Sequence, residues 1–167
     1  VFAPDMPAHG ADQMDAAGVT LADYVTRVGV VLSQAPSPVH LVGHSLGGIT
    51  ITQAGEDYPG LISKLVYLTA FIPGDNESRF DLDGGGAEGS LTGNYRIFSA
   101  DKKTMVVADE GIKPTFYADC DEETVSWVKE RLCPQATVIA QTKVRTSDAR
   151  WGLSLIHISE PTRPLHI

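Results

Sequence analysis

The stretch Val39-His40-Leu41-Val42-Gly43-His44-Ser45-Leu46-Gly47-Gly48 decides the fold of this chain. It starts as an apolar strand, breaks into Gly-x-Ser-x-Gly and continues into a helix-compatible segment, 46–58, that stops at Pro59-Gly60. A serine on so tight a turn has a strained backbone, and Gly43 and Gly47 carry no Cβ that would clash there. A bare Gly-x-Ser-x-Gly also occurs by chance in glycine-rich loops. The strand–turn–helix setting favours a nucleophile elbow that holds the Ser45 hydroxyl clear of a sheet.

The residue after the serine has a predicted role of its own. In an elbow, the N–H of Leu46 and the positive end of the following helix face the place where an oxyanion would form. Ser45 is therefore the candidate nucleophile, and the Leu46 backbone is the candidate oxyanion donor. His44, beside the serine, and His9, in the loop after the first predicted strand, are candidate substrate-binding residues. A local packing role for His44 and a structural turn role for His9 remain open.

Composition limits the class of protein. A chain of 167 residues can bury one good core, and a net charge of −8 argues against nucleic acid or an anionic membrane as a partner. No apolar run approaches the roughly 20 residues that span a bilayer. Cys120 and Cys133 lack zinc-ligand or Cys-x-x-Cys spacing, so we expect no metal and two thiols of a cytoplasmic protein; a disulfide stays open.

Strands and helices alternate in the first half of the chain. Residues 1–3 suggest the end of a strand, and Thr20-x-x-Asp23 resembles a helix start before a helical apolar spacing over 21–32. The run Lys64–Phe71 predicts a second buried strand. This order predicts an α/β fold with a parallel central sheet and flanking helices.

The pattern changes after Pro73. Residues 81–93 contain five glycines and predict a mobile loop, whereas Ile97 and 105–107 suggest short strands. Asp121 is placed to cap a helix that runs to about Leu132. An insertion of this kind would form a cap that excludes water from the serine, although a peripheral subdomain is the alternative.

These stretches together resemble one family. Residues 3–10, 39–48, 65–74 and 116–120 are similar to those of α/β-hydrolases of the esterase and hydroxynitrile-lyase type, and the resemblance covers roughly residues 1–152. It implies an α/β-hydrolase fold with a cap, a small-molecule carboxylic-ester substrate and no cofactor. It predicts a core at 1–74, a cap at 75–144, a return toward the core at 145–152 and a non-native tail at 153–167.

The chain also departs from this family. Members use the order Ser, Asp, His, with the aspartate after a strand that we expect to be missing here. The tail beyond Gly152 does not resemble the family and suggests vector-derived or adapter-derived sequence. We therefore expect an internal fragment, incomplete at both ends, whose catalytic aspartate and histidine lie elsewhere.

Substitutes within the chain are weaker candidates. His157 and His166 have the right order but lie in the tail, and His40 lies within the elbow strand as a core or sheet-face residue. Asp148 is favoured as a surface loop residue, and Asp75 as a turn residue. For Trp127 and Trp151, core packing is favoured over lining a pocket.

Three functions fit the pattern. The first is a serine-dependent hydrolase of carboxylic esters, and the second is hydroxynitrile-lyase-type C–C cleavage on the same scaffold. The third is a non-catalytic ligand-binding protein, because a fold does not imply a function. The intact elbow favours the hydrolase.

Overall fold

The structure, a computed structural model, describes residues 1–82, 91–151 and 155–159. The strands within these residues are β1 Val39–Ser45, β2 Ile62–Ala70, β3 Arg96–Phe98, β4 Thr104–Val107, β5 Gln135–Ala136 and β6 Leu155–Ser159. The α-helices are α1 Leu21–Ser33, α2 Gly47–Asp57, α3 Arg79–Leu82, α4 Leu91–Asn94, α5 Asp109–Phe116, α6 Glu122–Lys129 and α7 Val138–Gln141. None of these helices is long and apolar enough to cross a membrane.

Contacts divide the chain into two compact units. One unit contains Val1–Thr20 and Asp83–Ile139, and the other contains Leu21–Leu82 and Ala140–Ile167. Residues 75–82 and 140–144, which the sequence assigned to the cap, thus belong to the unit that holds Ser45, whereas residues 1–20, which it assigned to the core, belong to the other unit. The role of the first unit as a cap stays a prediction.

The unit that holds Ser45 is built on a parallel sheet in the order β1-β2-β6. The predicted strand 64–71 is confirmed as β2. The expectation that no strand follows Gly152 is wrong, because β6 pairs in parallel with β2 from Lys64↔Leu155 to Leu68↔Ser159. No strand was predicted there because the segment does not resemble the family. Its Leu-Ile-His-Ile run nevertheless contains the β-branched residues that favour a strand. The origin of residues 153–167 stays a prediction.

Two helices support this sheet in the way the apolar spacing predicts. Six apolar residues form the predicted helical spacing of α1; Val31 is half-buried, and the other five are buried: Leu21, Tyr24, Val25, Val28 and Leu32. A Cβ at Gly29 would lie 2.3 Å from the Tyr58 ring, so glycine at this position lets α1 and the end of α2 approach closely. Because α2 packs on β1 and β2, it fixes the direction in which the chain leaves the sheet after Ser45.

The other unit contains an antiparallel sheet in the order β3-β4-β5. Its first two strands confirm the short strands predicted at Ile97 and 105–107. The predicted helix 121–132 is present as α6, and the Asp121 carboxylate accepts a hydrogen bond of 2.8 Å from the Thr124 N–H. Val125 and Val128 are buried on α6, but Leu132, the predicted end of the helix, lies past its observed end at Lys129 and is 50% exposed.

Two other expectations have different outcomes. Residues 1–3 form no strand, because no described strand pairs with them, and Phe2 is 84% exposed. Most of the predicted glycine-rich loop, residues 83–90, lies outside the described residues. Its two ends belong to α3 and α4 rather than to a loop.

The segment before Trp151 is tied to α2 by one carboxylate. Glu56 accepts hydrogen bonds from the Ser147 N–H at 2.8 Å, from the Ser147 hydroxyl at 3.0 Å and from the Trp151 N–H at 3.3 Å. Nearby, Gln53 Oε1 accepts from the Arg145 N–H at 2.9 Å. These bonds hold the chain against α2 just before it enters β6.

We expect Glu56→Ala to lower the free energy of unfolding by about 1.5–3 kcal/mol, because several hydrogen bonds to a charged acceptor are lost. Asp57→Ala on the same helix is the control. Asp57 is exposed, and within the described residues its carboxylate accepts one solvent-exposed hydrogen bond, from the half-buried Gln53 amide, so a change within about 0.5 kcal/mol is expected. Urea denaturation measures the free energy of unfolding of both variants. Equal losses for the two variants would contradict a stabilising role for the Glu56 hydrogen bonds.

Candidate active site

The turn from β1 into α2 is a strained elbow. Ser45 is the last residue of β1, Leu46 is the N-cap of α2, and Gly47 begins the helix. Ser45 has a φ of 52°, in the left-handed region that residues with a Cβ rarely adopt. Ser45 is exposed at the carboxyl end of β1, the edge strand of the described parallel sheet, and ligands bind at this end of the strands in open α/β sheets.

The neighbouring strand is distorted at the same level. The register changes from His44↔Leu68 to Ser45↔Ala70, which leaves Thr69 as an extra, bulged residue with a φ of 44°. Beyond the bulge, the Phe71 N–H donates a hydrogen bond of 3.1 Å to the Ser45 carbonyl. The bulge thus brings the end of β2 onto the elbow.

The glycines around Ser45 differ in what they do. A Cβ at Gly43 would lie 2.8 Å from the Gly47 carbonyl oxygen, so the predicted need for glycine is confirmed at that position. The same reason does not apply to Gly47, where a Cβ would meet no described atom within 4 Å. Gly48, which the sequence analysis did not single out, is the tightest of the three, since its Cβ would lie 2.0 Å from the Phe71 carbonyl oxygen.

The N-terminus of α2 is suited to a negatively charged oxygen. No described side chain caps it, so its first N–H groups keep their positive partial charge beside Ser45. Leu46, with φ −60° and ψ −23°, is the first residue of this turn. The Leu46 N–H belongs to this turn, and its role as an oxyanion donor stays a prediction.

The described histidines are spread over the chain. His44 is exposed on β1 and pairs in register with Leu68. His9 belongs to the other unit, where its Nδ1 lies 3.0 Å from the Pro7 carbonyl. That carbonyl can only accept, so Nδ1 carries the proton of this bond. The structure therefore does not test the substrate-binding roles predicted for His9 and His44.

The weaker histidine candidates also have defined places. His40 is exposed rather than in the core, with its Nδ1 2.9 Å from the Ser63 hydroxyl. His157 lies within β6, opposite Val66. His166 is outside the described residues.

The two candidate carboxylates lie in turns. Asp75 Oδ1 accepts a hydrogen bond of 3.0 Å from the Thr146 N–H, which fits the favoured turn role. Asp148 is exposed, as favoured. Among the described residues, no group of three or more His, Cys, Asp or Glu side chains could hold a metal ion.

The two tryptophans have different environments. Trp127 is 57% exposed, with the Arg131 guanidinium 4.2 Å from the ring centroid, so the expectation of core packing is wrong there. The sequence alone does not distinguish a buried tryptophan from an exposed one whose ring face is covered by a cation. Trp151 is half-buried, and its indole N–H donates a hydrogen bond of 3.1 Å to the Tyr67 hydroxyl.

Burial affects two further groups. It raises the pKa of Tyr67, against the hydrogen bonds to Thr52 and Trp151, which lower it. Burial also raises the pKa of the Cys133 thiol, and both cysteines are free. Tyr67 and Thr52 lie under the elbow, and the sequence analysis missed both because apolar spacing does not identify buried polar pairs.

The strain at Ser45 predicts an inverted order of stability. Ser45→Gly should be more stable than Ser45→Ala by about 1–2 kcal/mol, because only glycine adopts a positive φ without strain. Ser63 in β2 is the matched control, since glycine should there be the less stable by about 0.5–1 kcal/mol. Thermal unfolding of the four variants measures the difference. The same order at both positions would contradict a left-handed Ser45.

The glycines give a second prediction. Gly48→Ala should lower the free energy of unfolding by about 1–3 kcal/mol, as overpacking does, because its methyl group meets a backbone carbonyl. Gly47→Ala should leave it unchanged or raise it slightly, because the methyl group enters open space at a helix start. Denaturant titration of both variants tests this. A larger loss for Gly47→Ala would contradict the packing described above.

Known proteins resemble the chain in sequence and in structure. The chain is 29% identical over 145 residues to a pyrethroid hydrolase of Sphingobium wenxiniae, covering 83% of the chain and 52% of that enzyme. It is 38% identical over 88 residues to methylesterase 1 of Arabidopsis thaliana, covering 50% of the chain and 34% of that protein. The chain thus spans about half the length of the first of these relatives and a third of the second.

Solved structures agree on the fold. Tomato methylketone synthase I, in a variant complexed with β-ketoheptanoate, superposes with a TM-score of 0.81 at 21% identity, covering 95% of this chain and 66% of that one. At this identity the likeness concerns the fold alone. The family model described as the alpha/beta hydrolase family matches residues 1–162. The strained Ser45 turn and this match lead to one conclusion: the chain belongs to the alpha/beta hydrolase family.

Proposed function

We propose that the protein containing this chain is a serine-dependent hydrolase of carboxylic esters, with Ser45 as the nucleophile. The observation that carries the proposal is the positive φ of an exposed serine at the carboxyl end of β1. Backbone strain of this kind persists where the surrounding structure imposes it, and it concentrates at functional sites. The free N-terminus of α2 beside it supplies the charge stabilisation that acyl transfer requires.

The chemistry follows from these two groups. The Ser45 oxygen attacks the ester carbonyl carbon while a base removes its proton, and the Leu46 N–H stabilises the oxyanion that forms. The C–O bond to the alcohol then breaks, and the base returns the proton to the leaving oxygen. Water attacks the acyl-serine in the same way and releases the acid. The base and its carboxylate partner are not assigned to any described residue.

The relatives support a small ester as the substrate class. One is named a pyrethroid hydrolase and another a methylesterase, and residues 1–162, which the family model matches, include the elbow. We extend to this protein only what these names share, the hydrolysis of a small carboxylic ester. In the same proposal, the unit that contains α5 and α6 serves as a cap, and a cytoplasmic location is supported by Cys120 and Cys133, which are both free thiols.

The test is hydrolysis of p-nitrophenyl butyrate and of simple methyl esters by the whole protein, with the released phenol or acid measured. Ser45→Ala should lower kcat by about a thousandfold or more, because the nucleophile is lost. Ser63→Ala removes another exposed serine of the same sheet and should keep full activity. Hydrolysis that survives Ser45→Ala, or a folded protein that binds these esters without cleaving them, would overturn the proposal.

A further inference from the structure

A chain of hydrogen bonds runs beneath the elbow. The Trp151 indole nitrogen lies 3.1 Å from the Tyr67 hydroxyl, which lies 2.8 Å from the Thr52 hydroxyl. The Thr52 hydroxyl lies 2.8 Å from the Gly48 carbonyl oxygen. Thr52 and Tyr67 are fully buried, so no bulk water competes for these bonds.

The chemistry of the four groups fixes the direction of every proton. An indole N–H only donates and a backbone carbonyl only accepts. The single proton of Thr52 therefore goes to Gly48, and Tyr67 must donate its own proton to Thr52 while accepting from Trp151. Each donor in this series of hydrogen bonds has one acceptor. Hydrogen bonds aligned in this way polarise one another in a low-dielectric interior.

This series of hydrogen bonds ends at the first turn of α2, which is the part of the helix that the proposed reaction needs. Gly48 lies in the first turn of α2, and its Cα packs against the Phe71 carbonyl, whose residue also donates its N–H to Ser45. The Thr52 hydroxyl adds a contact from inside the helix. Gly48 is thus held on one side by the end of β2 and on the other by Thr52.

Stability alone does not account for these hydroxyls. Threonine is a poor residue for a helix interior, and a hydroxyl that bonds back to the carbonyl four residues earlier bends the helix. Replacing both partners of a buried hydrogen bond by apolar groups of similar shape is often nearly neutral for stability. A chain of three such bonds that ends at the elbow therefore suggests a role in its geometry.

We infer that Thr52 is a positioning residue, which fixes the first turn of α2 at the Ser45 elbow through the bond chain that starts at Trp151. This inference rests on the proposed function, because the turn that it fixes carries the oxyanion donor. Small displacements of such a donor are costly for the rate, whereas substrate binding depends on other surfaces.

The kinetic test compares Thr52→Val with Thr52→Ser in the whole protein, with p-nitrophenyl butyrate as the substrate. Thr52→Val removes the hydroxyl and keeps the shape, so kcat should fall about tenfold with KM within about twofold. Thr52→Ser keeps the hydroxyl and should restore kcat. Thr50→Val is the control for a buried threonine of the same helix that lies outside the chain of bonds, and it should retain kcat.

A second measurement does not depend on activity. Hydrogen exchange followed by mass spectrometry should show faster exchange in Thr52→Val for peptides that span Ser45–Gln53, and wild-type exchange elsewhere. Thr52→Ser and Thr50→Val should match the wild type. Faster exchange across the whole Ser45 unit would mean a general loss of stability and overturn the positioning role, and so would wild-type exchange together with wild-type kcat. A wild-type protein that hydrolyses no ester would instead count against the proposed function, and the exchange result would then decide the inference alone.

Discussion

The strained backbone of Ser45 is the constraint on which the rest of this site depends. A positive φ at a residue with a Cβ costs of the order of 1–3 kcal/mol and must be imposed by neighbouring structure. That structure is the parallel pairing of β1 with β2 on one side and the packing of α2 on the same sheet on the other. The turn between them has no room to relax, because Gly43 and Gly48 already pack against backbone atoms.

The strained turn at Ser45 also determines how the serine and the start of α2 are placed. Forcing the chain from a strand into a helix within two residues leaves the serine exposed and the start of α2 directed at it. The bulge at Thr69 repeats the strain on the neighbouring strand and places Phe71 against both Ser45 and Gly48. The Ser45 hydroxyl and the N–H groups of the first turn of α2 are then fixed relative to one another, which is the preorganisation that the proposed acyl transfer would require.

The sequence predicts the parts of this arrangement that follow from local patterns. Apolar periodicity, the Gly-x-Ser-x-Gly run and turn residues were enough for α1, β1, α2, β2, β3 and β4, but not for β5. They were not enough for features that depend on contacts distant in sequence. The close approach of Gly48 to Phe71, the carboxylate tie at Glu56 and the buried Thr52–Tyr67 pair each join elements that no local pattern connects. The strand β6 was missed because likeness to a family was given more weight than β-propensity.

The most direct test of the central claim is the reaction of the whole, folded protein with a fluorophosphonate, followed by peptide mass spectrometry. The probe phosphonylates serines that are activated as nucleophiles. The account predicts a single adduct, on the peptide that contains Ser45, with its rate far above that of any other serine. A folded protein that forms no adduct at Ser45, or that is labelled equally at exposed serines such as Ser63, would contradict it.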